Sequence, residues 1–97
     1  MEKLIITVAL TGNVPTKKMN PNLPVTAGEI AADVKRCYDA GAVLFHVRAR
    51  DADQKPTLDL NVYKENARRI KELAPEVILQ LSTGARAGKD WQQRVNP

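Results

Sequence analysis

One cysteine, one histidine and only four aromatic side chains (one Trp, two Tyr, one Phe) stand in these 97 residues, and each scarcity removes a class of function. With Cys37 the lone thiol, no internal disulfide can form. Met1 to Leu10 carries too short an apolar stretch for a signal peptide and no small-residue cleavage site, so the expected location is cytoplasmic. No apolar run approaches the ~20 residues that span a bilayer, and no membrane partner is expected. With so few aromatics, and the fifteen Lys and Arg scattered among eleven Asp and Glu, there is no basic stripe with stacking groups. Nucleic acid is therefore not an expected partner. The net charge of +4 suits small anions steered into a cleft. Because His46 has no second imidazole to complement it, a nucleophilic triad on Ser82 is not expected. Gly84-Ala85-Arg86-Ala87-Gly88 matches no phosphate-loop motif and reads as flexible loop.

What is present reads as alternating strands and helices in a single unit. Lys3 to Leu10 is β-branched and aliphatic, too short for a typical helix, and stopped by Thr11-Gly12-Asn13, the pattern of a buried parallel strand. Thr11 to Pro24, with Pro15, Pro21 and Pro24, is a long loop, and loops of that length in compact domains are often functional. On it, Lys17 and Lys18 face either an anionic ligand or solvent. Thr26 with Glu29 forms a capping box, Val25 and Ile30 a hydrophobic staple, and Ile30, Val34, Cys37 and Tyr38 recur at helical spacing until Gly41. Cys37 on that stripe is core rather than nucleophile. After a polar turn from Asp51 to Pro56, Asp59 or Thr57 caps a second helix through Leu73, with Tyr63, Ala67 and Ile70 inward. Val77 to Leu81 is a third strand, and beyond Ala85 the chain reads as loop with one helical turn around Trp91.

Gly41 to Asp51 is the stretch the rest is arranged around. Its apolar run ends in His46, Arg48, Arg50 and Asp51, and period-two alternation puts His46, Arg48 and Arg50 on one face and Val47 and Ala49 on the other. All three strands end in polar groups: Thr11 and Asn13, then His46 to Asp51, then Ser82 and Thr83. Convergence on one rim is how a parallel α/β protein builds a site. On this reading the strand hands cations to an anionic substrate, and His46 is either a metal ligand or a hydrogen-bonded structural residue. The fold class is α/β, a parallel β-α-β-α-β unit. Three strands do not finish a sheet, so the chain is either part of a larger barrel or open sheet, or is completed by other chains.

The motifs Ile6-Thr7-Val8-Ala9-Leu10-Thr11-Gly12, Asn22-Leu23-Pro24-Val25-Thr26, Ala40-Gly41-Ala42 through His46, Arg50-Asp51 and Leu81-Ser82-Thr83-Gly84 together resemble the N-terminal third of the β-keto acid cleavage enzymes. That family's founding activity is 3-keto-5-aminohexanoate cleavage in lysine fermentation. The resemblance implies that residues 1–97 are a partial domain, the first three units of a TIM (β/α)8 barrel, commonly assembled as a homo-tetramer. It implies condensation of a β-keto acid with acetyl-CoA, giving acetoacetate and a new CoA ester, with Zn2+ polarising the ketone. It makes His46 the first metal ligand and Ser82 a substrate contact; Thr83 and Asn13 join as substrate-binding candidates by position. The family's second histidine ligand is replaced by Arg48, a permanent cation without a lone pair, and its glutamate ligand lies beyond Pro97. Val14 stands where some members carry an acid. The alternative is a catalytically inactive barrel fragment that acts only through association.

Overall fold

The computed structural model describes residues 3–84 and 91–95. Three parallel strands, β1 (Thr7–Ala9), β2 (Leu44–Val47) and β3 (Ile78–Leu81), alternate with α1 (Ala27–Asp39) and α2 (Leu60–Leu73), and a single turn, α3 (Trp91–Arg94), follows. The sheet order is β1-β2-β3, with Ala9 beside His46 and His46 beside Gln80. Sequential parallel order with right-handed crossovers puts both helices on one face of the sheet. That is the arrangement of successive units in a (β/α)8 barrel, not of a doubly wound sheet, whose strand order reverses.

Local chemistry explains the boundaries. Thr26 Oγ1 accepts from Glu29 N at 3.1 Å while Glu29 Oε1 accepts from Thr26 N at 3.1 Å, the expected capping box. Gly41, at φ +113°, ends α1 in a conformation that disfavours any side chain. Of the two candidate caps for α2, Asp59 takes the position, accepting from Asn61 N, and Thr57 Oγ1 supports it by accepting from Asp59 N.

Ile30, Val34, Phe45, Val47, Tyr63, Ile70 and Val77 form one core between the helices and one sheet face. Asn66, not among the expected inward residues of α2, is also buried and gives its amide to Val62 O at 2.9 Å. Though both faces of the strands are apolar in sequence, the face bearing Thr7, Ala9, Ile78 and Gln80 is exposed. The first strand is shorter than expected because only Thr7–Ala9 finds partners on β2; Leu4, Ile5 and Ile6 precede it, largely exposed.

Candidate functional site at the strand C-termini

Burial along β2 and beyond it alternates as a strand requires. Phe45, Val47 and Ala49 are buried, and His46 and Arg48 share the opposite, half-buried face. The alternation ends there. Arg50 belongs to an isolated antiparallel bridge with Pro56 and is only 5% exposed. Its guanidinium donates to Gly12 O at 2.8 and 3.2 Å, to Pro15 O at 2.9 Å and to Gln54 O at 2.9 Å. Burial pushes its pKa down, and among the described residues no carboxylate pairs with it. Arg50 is thus not presented to a ligand beside His46. It clamps the loop after β1 to the loop after β2. Asp51 serves the turn, its Oδ1 accepting from Asp53 N and Lys55 N.

The loop after β1 is closed at its base by Thr11 Oγ1, which donates to Pro24 O at 2.9 Å. Arg50 and this hydroxyl together fix Asn13. Of the two loop lysines, Lys17 pairs with Glu29 at 2.7 Å rather than facing a ligand.

At the end of β3, Ser82 continues the register, its N–H bonded to Val47 O at 3.0 Å. The residue is 4% exposed, and its Oγ accepts from Gly84 N at 3.1 Å. From α2 the buried Tyr63 hydroxyl donates to Ser82 O at 3.2 Å, and burial pushes that phenol up. Thr83 is exposed, its carbonyl accepting from Arg94 Nε at 2.8 Å.

Gly84 is where the three strand ends meet. A Cβ placed on it would lie 2.5 Å from Arg48 Nη1 and 3.2 Å from both Asn13 Nδ2 and Ser82 Oγ. The three groups pack so closely against Gly84 that a side chain there would have to push the Arg48 guanidinium aside. Sequence reasoning named Asn13 and Ser82 but missed Gly84 as the residue they pack against, and also the hydroxyl of Tyr63. A tyrosine rather than phenylalanine on a buried helix stripe was the available signal, because a buried phenol needs a partner. Of the expected loop from Gly84 to Gly88, residues 85–88 lie outside the described residues.

A beta-keto acid cleavage enzyme model matches residues 3–97. The chain belongs to the beta-keto acid cleavage enzyme family. Within the family's range it is 43% identical, over its whole length, to a 3-keto-5-aminohexanoate cleavage enzyme of Acetoanaerobium sticklandii, of which it spans 36%. It is 37% identical over 84 residues to a 3-oxoadipate:acetyl-CoA acetyltransferase of Cupriavidus necator, covering 87% of this chain and 30% of that one. A solved structure described as a ternary complex of ObcA with a C4-CoA adduct and oxalate superposes with a TM-score of 0.66 at 28% identity, covering 76% of this chain and 20% of its own. The chain therefore spans about a third of the length of the curated family members it matches.

The donors on this rim bear on the zinc that the family resemblance implies. His46 alone is suited to it: Nδ1 faces Gln80 Oε1 at 2.8 Å, which makes Nδ1 the donor and leaves the Nε2 lone pair free. Two positions along the same face stands Arg48, a fixed cation that cannot ligate. No group of three or more His, Cys, Asp or Glu able to hold a metal occurs among the described residues. A catalytic zinc takes about three protein ligands, and this donor set does not fit one.

Proposed function

We propose that residues 1–97 are the first three β/α units of a β-keto acid cleavage enzyme. The complete enzyme would condense a β-keto acid with acetyl-CoA to give acetoacetate and a new CoA ester. The observation that carries the proposal is the meeting of Asn13, Arg48 and Ser82 at Gly84, on the strand C-terminal rim where parallel barrels place their chemistry. The activities of these relatives support acetyl-CoA as co-substrate and a short keto acid as its partner. In this reading Ser82 and Asn13 bind substrate and Thr83 lies at the entrance. Lysine fermentation, cytoplasmic residence and homo-tetrameric assembly belong to the same proposal by family resemblance. No helix among the described residues is long and apolar enough to cross a membrane. No step is assigned to a zinc ion on His46, because the donors do not fit it.

The test is acetoacetate formation from acetyl-CoA and a panel of β-keto acids, 3-keto-5-aminohexanoate and 3-oxoadipate among them, followed by NMR. Turnover is expected from the complete barrel containing these residues. No product with any acid in the panel overturns the proposal. Metal content measured alongside is expected to be low and to rise in Arg48→His; full occupancy with Arg48 in place would show the ligand assignment to be wrong.

A second reading, in which the 97-residue chain is silent and acts by association, is favoured by its open apolar surface. Leu4, Ile5 and Ile6 stand 84%, 76% and 59% exposed beside β1, and Ile78 60% exposed on β3. Both readings hold together, one for the complete barrel and one for this chain alone. Robust turnover by the isolated 97 residues would end the second.

A further inference from the structure

Where β2 and β3 part, one step of their ladder runs through a side chain. The two strands pair in parallel from Leu44–Ile78 to Val47–Leu81, and Ser82 N carries the ladder one step further by donating to Val47 O at 3.0 Å. In a parallel ladder the next bond would run from Ala49 N–H to Ser82 O. The Tyr63 hydroxyl stands at that step, donating to Ser82 O at 3.2 Å. Burial raises the phenol and a backbone hydrogen bond from Ala49 lowers it, so one oxygen serves both groups of the interrupted step. Beyond it β2 turns away: Ala49 O accepts from Thr57 N at 3.1 Å, and Arg50 bridges to Pro56. Tyr63 is well fixed for this place. Its N–H bonds to Asp59 O at 3.2 Å in the first turn of α2, and at 2% exposure the ring has no room to swing.

We infer that Tyr63 is a positioning residue: its hydroxyl, set between Ala49 and Ser82, fixes the separation of the β2 and β3 ends and with it the place of the Ser82 side chain. The inference rests on the function proposed above, in which Ser82 contacts the keto acid; Tyr63 touches no substrate and acts through Ser82. A direct N–H···O bond would draw Ala49 N and Ser82 O to about 2.9 Å, and an oxygen interposed between them holds them further apart. Filling the core needs only an aromatic ring, whereas the bridge needs an atom that both donates and accepts, which phenylalanine lacks. With the hydroxyl gone, a buried N–H and C=O face each other unpaired, and closing to a direct bond removes that cost. Ser82 then moves toward β2 while the ring keeps its packing. The hydroxyl therefore matters to the alignment of the rim more than to the stability of the core.

Crystal structures of the complete barrel and of its Tyr63→Phe variant read the bridge directly. The parent is expected to keep the phenol oxygen between Ala49 N and Ser82 O, and Tyr63→Phe to bring those two atoms to about 2.9 Å. A direct Ala49–Ser82 bond in the parent overturns the inference, and so does an unmoved Ser82 in Tyr63→Phe; should that variant not fold, the parent contact decides. Kinetics on the complete barrel then asks whether Tyr63 acts through Ser82. Tyr63→Phe should raise KM for the keto acid about fivefold, the worth of one misplaced hydrogen bond, and leave KM for acetyl-CoA unchanged. In a Ser82→Ala background the same substitution should change the keto acid KM by less than about twofold, because no hydroxyl remains to be placed. Equal effects in both backgrounds mean that Tyr63 only supports the fold, and overturn the inference. If Ser82→Ala turns over too slowly to measure, the dissociation constant of acetoacetate, by ligand-observed NMR, takes the place of KM in the same comparison. Absence of acetoacetate formation from every form would sink the proposed reaction, while the two crystal structures would still decide the bridge.

Discussion

Arg50 is held by backbone carbonyls alone, four hydrogen bonds to three carbonyl oxygens, at a position almost sealed from water. A buried cation satisfied only by dipoles has no equivalent substitute. Removing it takes that donor from the carbonyls of Gly12, Pro15 and Gln54 in a part-buried setting, where an acceptor left unmade costs up to about 1–3 kcal/mol. Arg50→Ala is expected to destabilise the protein by roughly 2–4 kcal/mol, with Arg50→Lys recovering only part, as read by urea unfolding. A loss under ~0.5 kcal/mol would show that the loops do not depend on the clamp. This role was not legible in the sequence. Alternation extended from His46 through Arg48 to Arg50 assumes that pairing continues, and pairing with β3 stops at Val47. Asn13 and Ser82 were legible because the chain must turn polar where it leaves a buried strand. What lies opposite them, the bare backbone of Gly84, has no side chain to announce itself.

Element boundaries that carry a terminal signal are legible in the sequence; those without one are not. Thr26 with Glu29, and Asp59, satisfy orphan backbone groups where the two long helices begin, and Gly41 stands just past the end of the first. Strand extent depends on a partner far away in sequence, and β1 is shorter than its apolar run for that reason. The α1 cap also carries a pH dependence. The Lys17 ammonium, followed by the Thr26 N–H, lowers the Glu29 carboxyl from 4.5 to about 2. A carboxyl lowered in the folded state contributes stability that is fully present above about pH 4.5 and is lost as pH falls through about 2. The pair is partly solvated, so the effect is modest. Unfolding midpoints measured from pH 6 to pH 2 should fall less steeply in Glu29→Gln than in the parent protein. Parallel curves would mean that Glu29 does not titrate differently in the two states.

At the scale of the whole molecule, one sheet face is covered and the other is bare. β1 is an edge strand preceded by exposed Leu4, Ile5 and Ile6, and an apolar groove of about 350 Å³ runs between Ile6, Val8, Cys37, Ala40 and Ala42. A sheet of three strands with apolar edges presents unpaired backbone groups and invites further strands. The isolated 97 residues are therefore expected to associate at micromolar concentration, measured by light scattering. The double variant Ile5→Lys with Ile78→Lys should shift the distribution toward monomer. A monodisperse parent chain would count against the open surface as the cause. The need for completion was visible in the sequence, since three buried-type strands cannot finish a sheet. Which face stays open was not, because both faces read as apolar and only the hand of the crossovers decides between them.

The hydroxyl of Thr11 on the carbonyl of Pro24 fastens together the two ends of the loop that holds Asn13. Beyond this fastening the crown keeps its own turn, with Met19 N and Asn20 N bonded to Thr16 O and Leu23 N to Asn20 O. Closing a loop costs little more as it lengthens, about 0.6 kcal/mol per doubling. Insertions and deletions between Lys18 and Asn22 therefore leave the position of Asn13 untouched. The crown of this loop can therefore vary in length and composition above a base that the Thr11–Pro24 bond holds closed.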